Sequence, residues 1–126
     1  MKLHQQTTPD QNTIRALEPG RIRVNDDYYD NSLIITADRL DDKWPVAHPE
    51  QIDESIISDL LEFDAEIILL GTGLQHHLLD PLISLEAIQR GVGIEIMTTE
   101  AACHTYNILL GEDRAVLAAL IIESDS

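Results

Sequence analysis

Two short apolar runs constrain this chain more than any other feature: Ile67 to Gly73 (IILLGTG) and Gly93 to Leu110 (GIEIMTTEAACHTYNILL). Each begins with strand character, breaks at Gly or Thr, and gives way to helix-like sequence. That is how a chain passes from a parallel strand into a connecting helix. In open α/β sheets, ligands and partners gather at the carboxyl ends of such strands. The pattern therefore locates a site before it says anything about its chemistry.

The surrounding sequence supplies the other elements. Ile14–Leu17, Arg21–Val24, Asp27–Tyr29 and Leu33–Thr36 read as short strands, separated by Pro19-Gly20, Asn25-Asp26 and Asp30-Asn31. Such turn residues predict a small antiparallel meander. Asp41-Asp42 ends it, and Trp44 stays extended because a residue before proline avoids the α region. The stripe Ile56, Ile57, Leu60 and Leu61 predicts a helix from Asp53 to Leu61. Ile67–Leu70 is apolar at every residue, as a central strand covered on both faces would be.

Pro81 suits the first turn of a helix from Leu82 to Arg90, with Leu82, Leu85, Ala87 and Ile88 packing inward and Gly91 as its stop. Gly93–Met97 is the next strand. Thr98 or Thr99 caps the helix that follows, whose buried surface comes from Ala101, Ala102, Tyr106, Leu109 and Leu110. Arg114–Ile122 reads as a last strand, parallel or antiparallel. Right-handed crossovers place strands 67–70 and 93–97 in parallel, with helices on both faces of the sheet. The organisation is a loose tail over residues 1–12, a single α/β domain over 13–122, and an acidic tail over 123–126.

A chain of 126 residues has room for one such domain. Aromatics are only 4% of it, so the core must be built from Ile, Leu, Val and Ala. The net charge of -15 is concentrated: thirteen carboxylates lie between Asp26 and Glu66, against Arg39 and Lys43. A surface of that sign repels phosphate backbones and anionic membranes, which argues against nucleic-acid partners. Two readings of it stand. One is a solvated face; the other is an acidic docking face, including Asp26, Asp27, Asp41, Asp42, Asp53 and Glu54, for a basic protein partner.

Cys103 is the only cysteine, so no intrachain disulfide forms, as suits a reducing compartment. The start, MKLHQQTTPDQNT, lacks the apolar segment of a signal peptide. No apolar run approaches the ~20 residues that span a bilayer. The expectation is a soluble cytoplasmic protein without membrane insertion.

Few residues point to chemistry. Gly71-Thr72-Gly73 allows close backbone approach and can hold an anion on its N–H groups, or serve as a tight structural turn. The dinucleotide fingerprint fails because His76 stands where its third glycine belongs, and no Walker lysine follows. His76, His77 and Asp80 do not make a metal set, since neighbouring side chains seldom converge. Cys103 and His104 point about 100° apart on a helix, so the thiol lacks its base and reads as buried and inert. Asn107 is a poor helix residue, which implies a side-chain hydrogen bond. It would clamp its helix to the Thr98 region or the Gly71 loop, or touch a ligand. Arg114 reads as the partner of local carboxylates or as an anion contact. The candidate groove is Gly71, Thr72, Gly73, Met97, Thr98, Thr99, Tyr106 and Asn107, with no cofactor and no metal expected.

The GTG turn, the stretch GIEIMTTEAACHTYNILLGEDR and the WPV segment together resemble one family across about Asp27 to Ile122. It is the small-domain family that includes the mitochondrial complex I (NADH:ubiquinone oxidoreductase) assembly factor 3, bacterial and archaeal proteins, and an adipogenesis-associated human relative. The family pattern falls on Gly71, Thr72, Gly73, Gly93, Glu95, Met97, Thr98, Ala102, Tyr106 and Asn107. His104 stands where the family usually has Arg, and no transit peptide is visible.

The resemblance implies a three-layer α/β fold with a central mixed sheet and an added β layer. It implies no established enzymatic activity, and a role through protein contacts during assembly of a respiratory complex. Two functions follow. The first is a non-catalytic interaction domain, an assembly or accessory factor with a protein partner and room for a homodimer. The alternative is a small-molecule or anion binder, or a weak enzyme, using a pocket at the strand ends.

Overall fold

The structure, a computed structural model, describes residues 11–123. The tail expectations for residues 1–10 and 124–126 lie outside those residues.

The first three strands form the meander. β1 (Ile14–Glu18), β2 (Arg21–Val24) and β3 (Asp27–Tyr29) make an antiparallel sheet in sequence order. Asn25 takes the turn between β2 and β3 at φ 53, a left-handed conformation that Asn tolerates. Period-two alternation sends Ile22 and Val24 into the core and leaves Arg21 exposed.

The next strand departs from the expected meander. β4 (Leu33–Ile35) leaves the small sheet and joins the central one, antiparallel to β8 (Val116–Leu120). All three of its residues are buried, so it needs cover on both faces, which a two-layer meander cannot give. A two-residue strand that the sequence did not announce, β5 (Leu40–Asp41), pairs back on β4 across the turn at Asp38.

The central sheet runs β5-β4-β8-β6-β7, with β6 (Ile67–Gly71) and β7 (Gly93–Met97). β6 is parallel to both β7 and β8, while β8 is antiparallel to β4, so the sheet is mixed. The direction of β8, open from sequence, is set by α3 (Thr99–Gly111). This 13-residue helix, not the short turn at 111–113, carries the crossover from β7 over β6.

The sheet divides the interior in two. On one face Ile68, Leu70, Leu117, Ala119 and Ile121 pack under α1 (Glu54–Leu61) and α2 (Leu85–Gln89), with Trp44 and Val46 filling the same layer. On the other, Leu69, Ala118 and Leu120 pack with Tyr106 and Leu110 of α3 and with Ile22 and Val24 of the small sheet. This is the expected three-layer α/β architecture. Asp53 caps α1 by accepting from the Ile56 N–H at 3.0 Å, and Thr98 caps α3 through Ala101 at 3.2 Å.

The helix expected over 82–90 is shorter and rotated. A 3-10 turn occupies Pro81–Ser84 and α2 holds only Leu85–Gln89. Asp80 caps the Leu82 N–H at 3.0 Å, and the tighter 3-10 winding shifts the phase of the stripe. Ala87 is buried as expected, but Leu82, Leu85 and Ile88 face outward.

Candidate functional site

The carboxyl ends of β6 and β7 meet the start of α3, as the strand-turn-helix pattern requires. Gly71 is needed there for space: a Cβ on it would lie 2.9 Å from both Cα and Oγ1 of Thr99. Thr99 is buried and joins three segments. Its hydroxyl donates to the Ile121 C=O at 2.7 Å and accepts the Gly73 N–H at 2.9 Å, while its own N–H donates to the Gly73 C=O at 3.0 Å. The Thr72 hydroxyl donates to the Gln75 C=O at 2.6 Å, and the Leu74 N–H donates to the Glu123 carboxylate at 2.7 Å. Gly73 sits at φ +100, and a Cβ there would run into that carboxylate. The strand ends are thus tied by the chain's own polar groups.

The open space lies beside them. A cleft of about 450 Å³ runs between β1 and the outer face of α3, closed at one end by Gly73-Leu74 and the Ile121–Glu123 segment. Of the eight groove residues expected from sequence, Gly73, Thr99 and Asn107 reach it. Gly71 and Thr72 are buried behind it, Thr98 is spent as the helix cap, and Met97 packs into the core. Tyr106 is fully buried and donates its hydroxyl to the Asn12 C=O at 2.7 Å.

Asn107 holds β1 against the helix. Its Oδ1 accepts the Ile14 N–H at 3.1 Å and its Nδ2 donates to the Ile14 C=O at 2.8 Å. It is a clamp, to a different partner from the Thr98 region or Gly71 loop that the sequence suggested.

Sequence reasoning missed one wall, β1 with Arg15 and Glu18, and also Glu100, His104 and Glu123. Nothing in the local pattern says that β1 lies on α3; that is a contact across 93 residues. Arg15 brings a positive charge, and His104 a hydrogen-bonding ring, to a mouth otherwise lined by Glu18, Glu100 and Glu123. Glu18 is already paired with Arg21 at 2.9 Å. Cys103 lines the floor, but burial, then Glu100, pushes its thiol up to about 12, so it is not an activated nucleophile. Arg114 pairs with Glu66 at 2.7 Å, away from the cleft. Among the described residues no three His, Cys, Asp or Glu side chains gather as metal ligands would.

The acidic residues divide. Asp26 and Asp27 sit at the β2–β3 turn, and Asp27 and Asp42 both raise the Tyr29 hydroxyl after burial does, so those two share a neighbourhood. Asp41 accepts the Lys43 N–H at 2.9 Å. Asp53 and Glu54 stand at the α1 N-terminus, where they share a recess with Asp80 and Leu82.

A family model for proteins of unknown function matches residues 14–121, nearly the whole described domain. The chain belongs to the DUF498/DUF598 family. Within DUF498/DUF598, it is 34% identical over 104 residues to the 13 kDa major membrane protein of Francisella tularensis subsp. holarctica (strain LVS), covering 81% of this chain and 84% of that one. It is 37% identical over 81 residues to the mouse NADH dehydrogenase [ubiquinone] 1 alpha subcomplex assembly factor 3, covering 63% of this chain. The match spans 44% of that assembly factor's own length. In structure it superposes on a Mth938-like domain of Bordetella pertussis at TM-score 0.84 and 30% identity, covering 100% of this chain and 95% of that one. The resemblance of the GTG turn and the GIEIMTTEAACHTYNILLGEDR stretch to this family is therefore correct. No described helix is long and apolar enough to cross a membrane.

Proposed function

We infer that this DUF498/DUF598 domain is a non-catalytic interaction module, an accessory or assembly factor that grips a partner protein along the cleft between β1 and α3. The cleft carries the reading. It opens to solvent between β1 and α3, and the thiol on its floor, Cys103, is held protonated by burial and so is no thiolate nucleophile. Open clefts with mixed lining suit a protruding partner segment better than a turnover site, which encloses its substrate. The relationship to assembly factor 3, which by its name serves NADH dehydrogenase, supports a role through protein contacts. The charge of -15 supports a basic partner, and the lone Cys103 supports work in a reducing compartment such as the cytoplasm.

The test compares capture by three forms of the chain: wild type, an Ala16→Trp variant that fills the cleft, and a variant with Asp26, Asp27, Asp41 and Asp42 replaced by Lys. The reading expects one protein retained by wild type at low salt, released by added salt, and lost from both variants. Retention by the cleft-filled variant would overturn it.

A second reading rests on the size of the same cleft, about 450 Å³, which lies in the range of small-ligand sites. Arg15 and His104 would then hold an anionic ligand. Binding of a small carboxylate or phosphate that Arg15→Ala weakens, with no protein captured, would favour this reading over the first.

A further inference from the structure

β7 is the last strand of the central sheet, and its outer edge is open. Two bonds fix which residues face inward: Gly93 N–H to Glu66 C=O at 3.1 Å, and Thr72 N–H to Met97 C=O at 2.8 Å. Gly93, Glu95 and Met97 therefore spend their backbone groups on β6. Because backbone direction alternates, the N–H and C=O groups of Ile94 and Ile96 point away from the sheet. Among the described residues nothing bonds to them. The strand, GIEIM, carries no Pro, Lys or bulge, and its one charge, Glu95, is the only protection of this edge.

The neighbouring surface is apolar. α2 packs on β7, and its outward face presents Leu85 at 47% exposure and Ile88 at 67%, with Leu82 at 59% just before it. Ala87 already fills the inward side, so this short helix is apolar on both sides, the pattern of an element buried from two directions. The segment that carries this surface is less acidic than the chain as a whole, with Asp53 and Glu54 bordering it at Leu82. Between Ile67 and Met97 there are three acids and one base (Asp80, Glu86 and Glu95 against Arg90), a net of -2 in a chain of -15.

We propose that the β7 edge and the outward face of α2 form a two-fold interface with a second copy of this chain, joining two five-stranded sheets into one. The open edge is complementary to itself, since Ile94 and Ile96 offer both donors and acceptors. The weak local charge lets two strongly acidic molecules meet here. A two-fold axis normal to the sheet keeps the faces aligned, so each α2 lies beside the α2 of the other copy and their leucine and isoleucine faces meet. Glu95 restricts the register. A pairing centred on Glu95 sets two carboxylates directly opposite in a close pair, which is destabilising. Centring on Ile94 or Ile96 puts Glu95 across from Gly93 or Met97.

Sedimentation velocity on the full chain, over a concentration series, tests this. The proposal expects a reversible dimer that tightens as salt rises from about 0.05 M to about 0.5 M, because screening relieves repulsion between two acidic bodies. Ile94→Pro removes an outward N–H and leaves the β6 ladder intact, since proline is tolerated on an edge. Leu85→Lys with Ile88→Lys changes only exposed side chains. Each should raise the dimer dissociation constant about tenfold or more while circular dichroism and thermal midpoint show a folded chain. A monomer at every concentration overturns the proposal and leaves the surface to another protein. A dimer unchanged in both folded variants overturns it as well.

Discussion

Asn107 and Ile14 meet across 93 residues through a matched pair of hydrogen bonds, the amide oxygen taking the strand N–H and the amide nitrogen giving to the strand C=O. The side chain thus acts as one more strand residue for β1, and it fixes one wall of the cleft to the other. Both Ile14 backbone groups would lose their partner if it were removed.

Asn107→Ala should therefore cost about 1–3 kcal/mol, two partly buried hydrogen bonds at about 0.5–1.5 kcal/mol each. Asn107→Asp keeps the acceptor and loses the donor, and should remain destabilising because a carboxylate then faces the Ile14 carbonyl. Urea unfolding with an unchanged slope would measure both. Hydrogen exchange at Ile14 should speed up in the Ala variant, which loses the acceptor of its N–H.

Thr99 gives a second test, because shape and hydroxyl can be separated. Thr99→Val preserves the shape and leaves the Ile121 C=O and Gly73 N–H without partners in a buried site. A loss of about 1–3 kcal/mol is expected. Thr99→Ser keeps the hydroxyl and should recover most of it. If Val were neutral in thermal and urea unfolding, the hydroxyl would not be what joins β6, α3 and the Ile121 segment.

Stability should also fall in alkali. Burial raises the Cys103 thiol from 9.0 to about 12, and burial raises the Tyr106 hydroxyl above its usual 10.0. A group whose pKa is higher folded than unfolded favours folding below the unfolded value and loses that contribution as pH rises toward the folded one. The Cys103 contribution should thus be whole below about pH 9 and shrink toward pH 12, with Tyr106 joining above about pH 10. Thermal midpoints across this range should decline for wild type. Cys103→Ala should flatten the lower part of the decline and leave the upper part. A thiol reagent at neutral pH should label Cys103 slowly, since the side chain is nearly buried on the cleft floor and burial keeps the thiol protonated.

How far the sequence carries can be judged from particular segments. Ile67–Gly71 and Gly93–Met97 were legible as parallel strands because short β-branched and apolar stretches that break at Gly or Thr before helix-like sequence have few other uses in a folded chain. The same holds for the caps at Asp53 and Thr98, where a short polar side chain precedes a stripe. These are local facts, fixed by backbone sterics and by the spacing of apolar side chains. Of the eight groove residues expected from sequence, Gly73, Thr99 and Asn107 line the cleft, while Tyr106 and Thr72 turn inward.

Only the tertiary structure decided the rest. β4 could pair with the meander or with β8, and the need to cover Leu33, Ile34 and Ile35 on both faces chose β8. Leu82, Leu85 and Ile88 were readable as core, but a capped 3-10 turn changed their phase and left them outside. Asn107 announced that it needed a partner, and the placement of β1 on α3 made that partner Ile14. Periodicity and turn chemistry act within a few residues and are written in the chain. Which surfaces come together depends on burying all of them at once, a property of the whole sheet and its layers rather than of any segment.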